Sequence, residues 1–235
     1  MSLNKVKIGS NMYPFLNDYP HMGANRGYTI NFVKGRCPFQ CIYCYYQSNP
    51  RYKKRIGELR LDEKEFKTNI GSGNYIFVGS SCDMFAEAVP NEWIKKVLDY
   101  CKRFDNKYLF QSKNPDRFWD FRNNFPSKVI LGTTIETNRC FLNNSKLIVP
   151  ETRVNGIWGL KSFDKIVSIE PIMYFDLEQF VEMIKAIKPL FVSIGADSKK
   201  SGLNEPPAEK IRELINELGK FTEVKIKNNL SRLLG

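Results

Sequence analysis

Cys37, Cys41 and Cys44 are spaced C-x3-C-x2-C, directly after a strand-like apolar run that ends at Val33. Three thiolates on one short loop can converge on a single inorganic centre, because soft sulfur suits zinc and iron–sulfur groups. A cubane cluster has four irons to ligate, and this loop offers three thiolates, which leaves one iron open to a ligand from outside the protein. An open position marks a catalytic metal centre, whereas structural sites are closed. The alternative is a structural zinc loop with His21 or another cysteine as the fourth ligand. Zinc sites usually pair two C-x2-C units at a longer separation, and no second pair is present. A disulfide is the remaining use of neighbouring cysteines.

The motif, including the aromatic Tyr43 just before its last cysteine, resembles the signature of the radical S-adenosylmethionine superfamily. The resemblance implies that Cys37, Cys41 and Cys44 hold a four-iron four-sulfur (4Fe-4S) cluster. Its unique iron would chelate the amino and carboxylate groups of S-adenosylmethionine, with Tyr43 near the adenine. It also implies reductive cleavage to methionine and a 5′-deoxyadenosyl radical, which takes hydrogen from an unreactive C–H bond of a substrate. An electron donor of the flavodoxin or ferredoxin type is implied as a partner. Further blocks narrow the likeness: Asp83-Met-Phe, Val89-Pro-Asn-Glu-Trp, Phe110-Gln-Ser-Lys-Asn-Pro, Leu131-Gly-Thr-Thr-Ile-Glu-Thr-Asn and Val167-Ser-Ile-Glu-Pro. These are similar to short phage and bacterial radical S-adenosylmethionine proteins without assigned activity, related distantly to spore photoproduct lyase. The similarity covers residues 29–227.

The elements that must position this chemistry alternate along the chain. Apolar, β-branched runs predict strands at 28–34, 74–79, 107–111, 129–135, 165–169, 190–194 and 223–226. Helical spacing predicts helices at 61–70, 90–104, 115–124, 177–187 and 206–218, with 141–160 irregular to helical. Residues 1–27 read as an irregular arm and 28–235 as a single domain. The fold class is α/β, with about six parallel βα units, short of the eight that close a full barrel. The resemblance implies a partial, open barrel of the radical S-adenosylmethionine type, with cluster and substrate at the strands' C-terminal mouth.

Polar residues stand just after each predicted strand: Gly79, Ser80, Ser81 and Asp83; Lys113; Thr134 and Glu136; Glu170; and Asp197. Any one of them is explained equally well by helix capping. The resemblance places Gly79, Ser80 and Ser81 beside the methionine amino group, where many members have Gly-Gly-Glu, with Asp83 as a second partner. At the later strand ends, Lys113, Thr134, Glu136 and Glu170 are the candidates for ribose, carboxylate or substrate, with packing or capping as the alternative for each. Cys82 lies near the place where spore photoproduct lyase carries a hydrogen-donating cysteine, so it is expected to quench a radical or touch substrate; the alternative is a silent buried thiol. Cys101, on the inner stripe of the 90–104 helix, and Cys140 are expected to be structural.

The 235 residues are 42% hydrophobic and carry six cysteines, which fits one medium-sized domain in a reducing compartment. No apolar run of membrane-spanning length and no signal-peptide apolar region is present, so a soluble, cytoplasmic protein is expected. The net charge of +11 can attract a polyanion, although the basic residues are spread along the chain as on an ordinary solvated surface. Tyr45, Tyr46 and Tyr52 beside the basic run 53–55 can stack bases while the cations meet phosphates, or can simply pack at the rim. The substrate is therefore expected to be a nucleotide or nucleic acid. A small metabolite or peptide with the same chemistry, and a non-catalytic zinc-stabilised nucleic-acid-binding module, are the alternatives.

Overall fold

The computed structural model describes residues 3–5, 27–44, 46, 49, 56–140, 147–199 and 201–235. In chain order the elements are β1 (Asn4–Lys5), β2 (Gly27–Ile30), β3 (Val33–Lys34), β4 (Arg60–Leu61), β5 (Tyr75–Val78), α1 (Asn91–Cys101), β6 (Lys107–Ser112) and β7 (Val129–Thr134). There follow α2 (Pro150–Trp158), β8 (Asp164–Ile169), α3 (Leu177–Ile187), β9 (Phe191–Ile194), α4 (Ala208–Gly219), β10 (Glu223–Ile226) and α5 (Ser231–Leu234).

One eight-stranded sheet runs β1-β2-β5-β6-β7-β8-β9-β10, and β3 with β4 makes a separate two-stranded ribbon. Within the large sheet only β1 is antiparallel to its neighbour; β2 through β10 pair in parallel. The protein is thus α/β with a mostly parallel central sheet whose strands follow chain order. A strand that is parallel to both neighbours is covered on both faces, so it reads as a continuous apolar run rather than an alternation. β7, Val-Ile-Leu-Gly-Thr-Thr, is buried along its whole length. Helices supply the cover: α1 turns Ile94, Val97, Leu98 and Cys101 into the core, each fully buried. Burial of aliphatic side chains of this size contributes roughly 1.5–3 kcal/mol apiece. α2 touches α3, and α3 touches α4. Among the described residues no helix is long and apolar enough to cross a membrane.

Parallel pairing sends every C-terminal strand end to the same edge of the sheet. Gly79, Lys113 and Glu136, which follow β5, β6 and β7, are thereby neighbours although far apart in sequence.

Three expected elements differ. The strand expected over 28–34 breaks after Ile30, because Asn31 turns its side chain to the backbone N–H of Ser81 (2.8 Å) and the chain re-enters a different sheet at β3. The helix expected over 61–70 is reduced to β4 and one 3-10 turn, Glu65–Lys67. There the Asp62 N–H donates to the Phe32 carbonyl (2.7 Å), and Asp62 Oδ1 accepts from the Lys64 N–H (3.2 Å), so pairing across the ribbon displaces the helical ladder. Phe66 then packs on Phe32 and Tyr100, with ring centroids 4.8 and 5.4 Å away. The helix expected over 115–124 shrinks to a 3-10 turn at Pro115–Phe118. Phe118 and Phe121 there join Phe125 around Phe85, which stands edge-on to Phe118 at 4.7 Å. Of the expected irregular arm, Asn4–Lys5 pair with β2 as an edge strand, and residues 6–26 lie outside those described. Residues 141–146, within the expected irregular-to-helical stretch 141–160, do so as well; its remainder contains α2.

Candidate active site

The cysteine loop is built from two consecutive turns. The Gln40 N–H donates to the Cys37 carbonyl (3.2 Å), and the Cys44 N–H donates to the Cys41 carbonyl (2.9 Å). Gln40 stands between them with φ +47°, the left-handed step that reverses the chain from one turn to the next. Entry to the loop is held by Gly35, with φ +105°, where a Cβ would lie 2.0 Å from the Glu58 carbonyl oxygen. Only glycine permits that approach, which clamps the loop to the segment leading into β4.

Cys37, Cys41 and Cys44 all line one cavity of about 190 Å³, together with Tyr43 and Phe39 of the same loop. Its other walls come from three strand ends: Gly79, Ser80, Ser81, Cys82 and Asp83 after β5; Gln111, Ser112 and Lys113 at β6; and Thr134 at β7. All the expected site residues except Glu136 and Glu170 are therefore gathered around one space. Among the described residues, no group of three or more His, Cys, Asp or Glu side chains converges closely enough to hold a single metal ion.

Cys82 is buried, and its thiol shares a hydrogen bond with that of Cys37. That bond favours a thiolate on Cys37 and, with burial, pushes the Cys82 thiol far up. Burial raises Cys41 to about 11, with the Lys113 ammonium pulling the other way. Four sulfurs thus meet at this cavity, and Cys82 is the one not supplied by the loop.

Glu136 lies just behind the wall and organises it. Its Oε1 accepts from the Tyr43 hydroxyl and from Lys113 Nζ (2.6 Å), and its Oε2 accepts from Arg153 Nη1 (2.8 Å). Burial alone would raise this carboxyl, but Lys113 and Arg153 reverse the effect and hold it down to about 2. Tyr43 is pushed up by burial and by the Glu136 charge, so it stays a phenol and a donor. Lys113 Nζ also stands 5.3 Å from the centre of the Tyr43 ring. Arg153, brought in by α2, is as buried as Glu136 and donates to the Thr134 and Ile148 carbonyls at 2.8 and 2.6 Å.

Hydrogen bonds between strand ends tie the rest together. Asp83 accepts from the Ser112 hydroxyl and the Lys113 N–H, both at 2.8 Å, and from the Phe85 N–H at 3.0 Å; burial raises its carboxyl. Gln111 donates to the Thr134 hydroxyl (2.8 Å), and Asn31 joins Ser80 and Ser81 to the end of β2. Gly79 has φ +85° and donates its N–H to the Ile30 carbonyl (2.9 Å).

Glu170 stands apart. It is ion-paired with Lys227 and accepts from Asn229 (3.0 Å), packed against the Gly195 backbone at the ends of β8 to β10. Cys101 is a fully buried core thiol, as its place on the helix stripe predicts. Cys140 is exposed, unlike the structural cysteine expected there. His21, Tyr45, Tyr52 and the basic run 53–55 lie outside the described residues. Arg153 and Asn31 escaped sequence reasoning; each contributes by reaching a partner on another strand or helix, and no local spacing marks such a partner.

No family model matches this chain, and no curated protein is similar enough to count as a relative.

Proposed function

We propose that the chain is a radical S-adenosylmethionine enzyme acting on a nucleotide or nucleic acid. The observation that carries this reading is that Cys37, Cys41 and Cys44 line one cavity with the ends of three adjacent parallel strands. Ligand sites lie at the C-terminal strand ends of parallel α/β proteins as a general rule. Strands that follow chain order, with α2, α3 and α4 touching in succession, support a partial barrel over a doubly wound sheet, in which the order reverses.

The donor set fits a 4Fe-4S cluster. Its three soft sulfurs from one loop suit separate irons of a cubane, whereas a zinc ion needs all its thiolates about 2.3 Å from one point. When bound, such a cluster supplies the electron that cleaves S-adenosylmethionine to methionine and a 5′-deoxyadenosyl radical. The chain's own residues bind, orient and exclude water. Gly79 brings backbone close to the cavity, and the carbonyls of the 79–81 turn can accept from an ammonium group. Lys113 presents a cation suited to a carboxylate, held in place by Glu136. Tyr43 offers an aromatic face fixed by its hydroxyl bond to Glu136. Phe39 and Phe77 keep part of the wall apolar. Cys82 lines the same cavity, and its S–H suits it to give a hydrogen atom to a product radical, leaving a thiyl radical that the electron donor returns to the thiol with one electron and a proton. A flavodoxin- or ferredoxin-type protein is the fitting electron donor, and the charge of +11 favours a phosphate-bearing substrate.

The test is anaerobic reconstitution followed by a dithionite-driven assay for 5′-deoxyadenosine, with and without nucleic acid. A brown protein that forms 5′-deoxyadenosine is expected. A colourless protein with stoichiometric zinc would refute the reading. That second outcome corresponds to a zinc-stabilised binding module.

A further inference from the structure

We infer that a second chamber beside the cysteine cavity is a subsite for a phosphate group of the substrate. The chamber has a volume of about 250 Å³, and its walls include Asn31, Lys34, Tyr46, Arg60 and Ser81. Ser81 also lines the cysteine cavity, so the two spaces share a wall. Asn31 braces that wall, accepting from the Ser81 N–H at 2.8 Å and donating to the Ser80 hydroxyl at 3.3 Å.

Among the described residues, two cations line the chamber and no carboxylate does. Lys34 is answered locally by Asp62 (2.8 Å) and Glu65 (2.7 Å). Arg60 is not. Its Nη1 donates to the Ile56 and Glu58 carbonyls at 3.3 and 3.2 Å, and among the described residues no carboxylate lies within ion-pair distance of it. Those two carbonyls orient the guanidinium without neutralising it. No hydrogen bond among the described residues uses its Nε or Nη2, which leaves a donor edge for a ligand. A planar fork of N–H donors matches the oxygens of a phosphate, and a charge-assisted pair of this kind is among the stronger polar contacts.

The backbone keeps the fork in place. Gly57, with φ +65°, lets the chain pass beneath the guanidinium, where a Cβ would stand 3.2 Å from Nη1. Gly35 pins the other side of the same turn against the Glu58 carbonyl. The Arg36 N–H donates to the Gly57 carbonyl (3.1 Å), so the turn presenting Arg60 is the one that clamps the cysteine loop. A phosphate held at Arg60 would lie in the chamber that shares Ser81 with the thiol-lined cavity. The inference deepens the proposed nucleotide substrate and rests on that reading.

The test is binding to the purified apoprotein, which needs no cluster. A fluorescently labelled twelve-residue oligothymidylate is titrated at low and moderate salt into wild type, Arg60→Gln and Arg60→Lys, with thymidine monophosphate, thymidine and inorganic phosphate as competitors. Arg60→Gln should weaken the oligonucleotide about tenfold and lower the salt slope by about one, with partial recovery in Arg60→Lys. Thymidine should not compete. Competition by the monophosphate in wild type assigns a mononucleotide; its failure, with the oligonucleotide still dependent on Arg60, assigns a strand. Equal binding by wild type and Arg60→Gln would overturn the inference. Ile56→Trp, which fills the chamber and keeps Arg60, should weaken binding equally, and unchanged binding there would also overturn it. Failure of the reconstituted wild type to form 5′-deoxyadenosine, with oligonucleotide binding still dependent on Arg60, would count against the proposed function alone.

Discussion

Arg153 Nη1 lies 2.8 Å from Glu136 Oε2, and each side chain is 1% exposed. The pair joins α2 to the end of β7 beneath the cysteine cavity, and Glu136 passes the constraint on to Tyr43 and Lys113. A buried pair adds little over an apolar substitute, but removing one partner strands the other charge.

Arg153→Met should therefore destabilise the fold by about 3 kcal/mol, with Lys113 still answering part of the Glu136 charge. Urea unfolding of the apoprotein measures this. Adding Glu136→Gln to Arg153→Met should recover part of the loss, and strict additivity of the two changes would refute the coupling.

The same carboxyl predicts a pH dependence. Its value of about 2 in the folded chain lies below the ordinary 4.5. A depressed carboxylate contributes stability that is present above the unfolded value and lost as pH falls through the folded one. Wild type should lose stability relative to Glu136→Gln between about pH 4.5 and 2, and parallel stability–pH curves would contradict the assignment.

Cys37→Ala, Cys41→Ala and Cys44→Ala should each abolish 5′-deoxyadenosine formation. Cys101→Ala, in the core of α1, should leave it intact at a cost of about 1 kcal/mol in stability. Wild-type rates in any of the first three would remove the ligand assignment.

Cys82→Ala should retain cofactor cleavage but alter turnover or product distribution once the substrate is in hand, because the cavity loses its protonated thiol. Unchanged products would leave Cys82 a packing residue.

Gly35→Ala places a methyl group where the Glu58 carbonyl stands and forces a side chain into φ +105°. The expected loss is on the order of 3 kcal/mol. Limited proteolysis should show the 56–60 turn opening first, and wild-type resistance would sink the clamp.

Much of the site was legible in the residues. The cysteine loop was legible because its two consecutive turns are a local property of the spacing, and they bring Cys37, Cys41 and Cys44 to one cavity. The strand ends carrying Gly79, Asp83, Lys113 and Glu136 were readable because β5, β6 and β7 are buried on both faces and announce themselves as apolar runs. The helix of 61–70 was misread because its apolar spacing is real but its backbone groups bond Phe32 across the ribbon. Only the tertiary structure separated Glu170 from the cavity, since a polar residue after a strand reads alike whether it faces a ligand or the Lys227 ammonium. Only the tertiary structure set Cys82 against Cys37 and brought Arg153 to Glu136. Spacing along the chain governs turns and faces, whereas contacts between strands and helices follow from packing that no local pattern encodes.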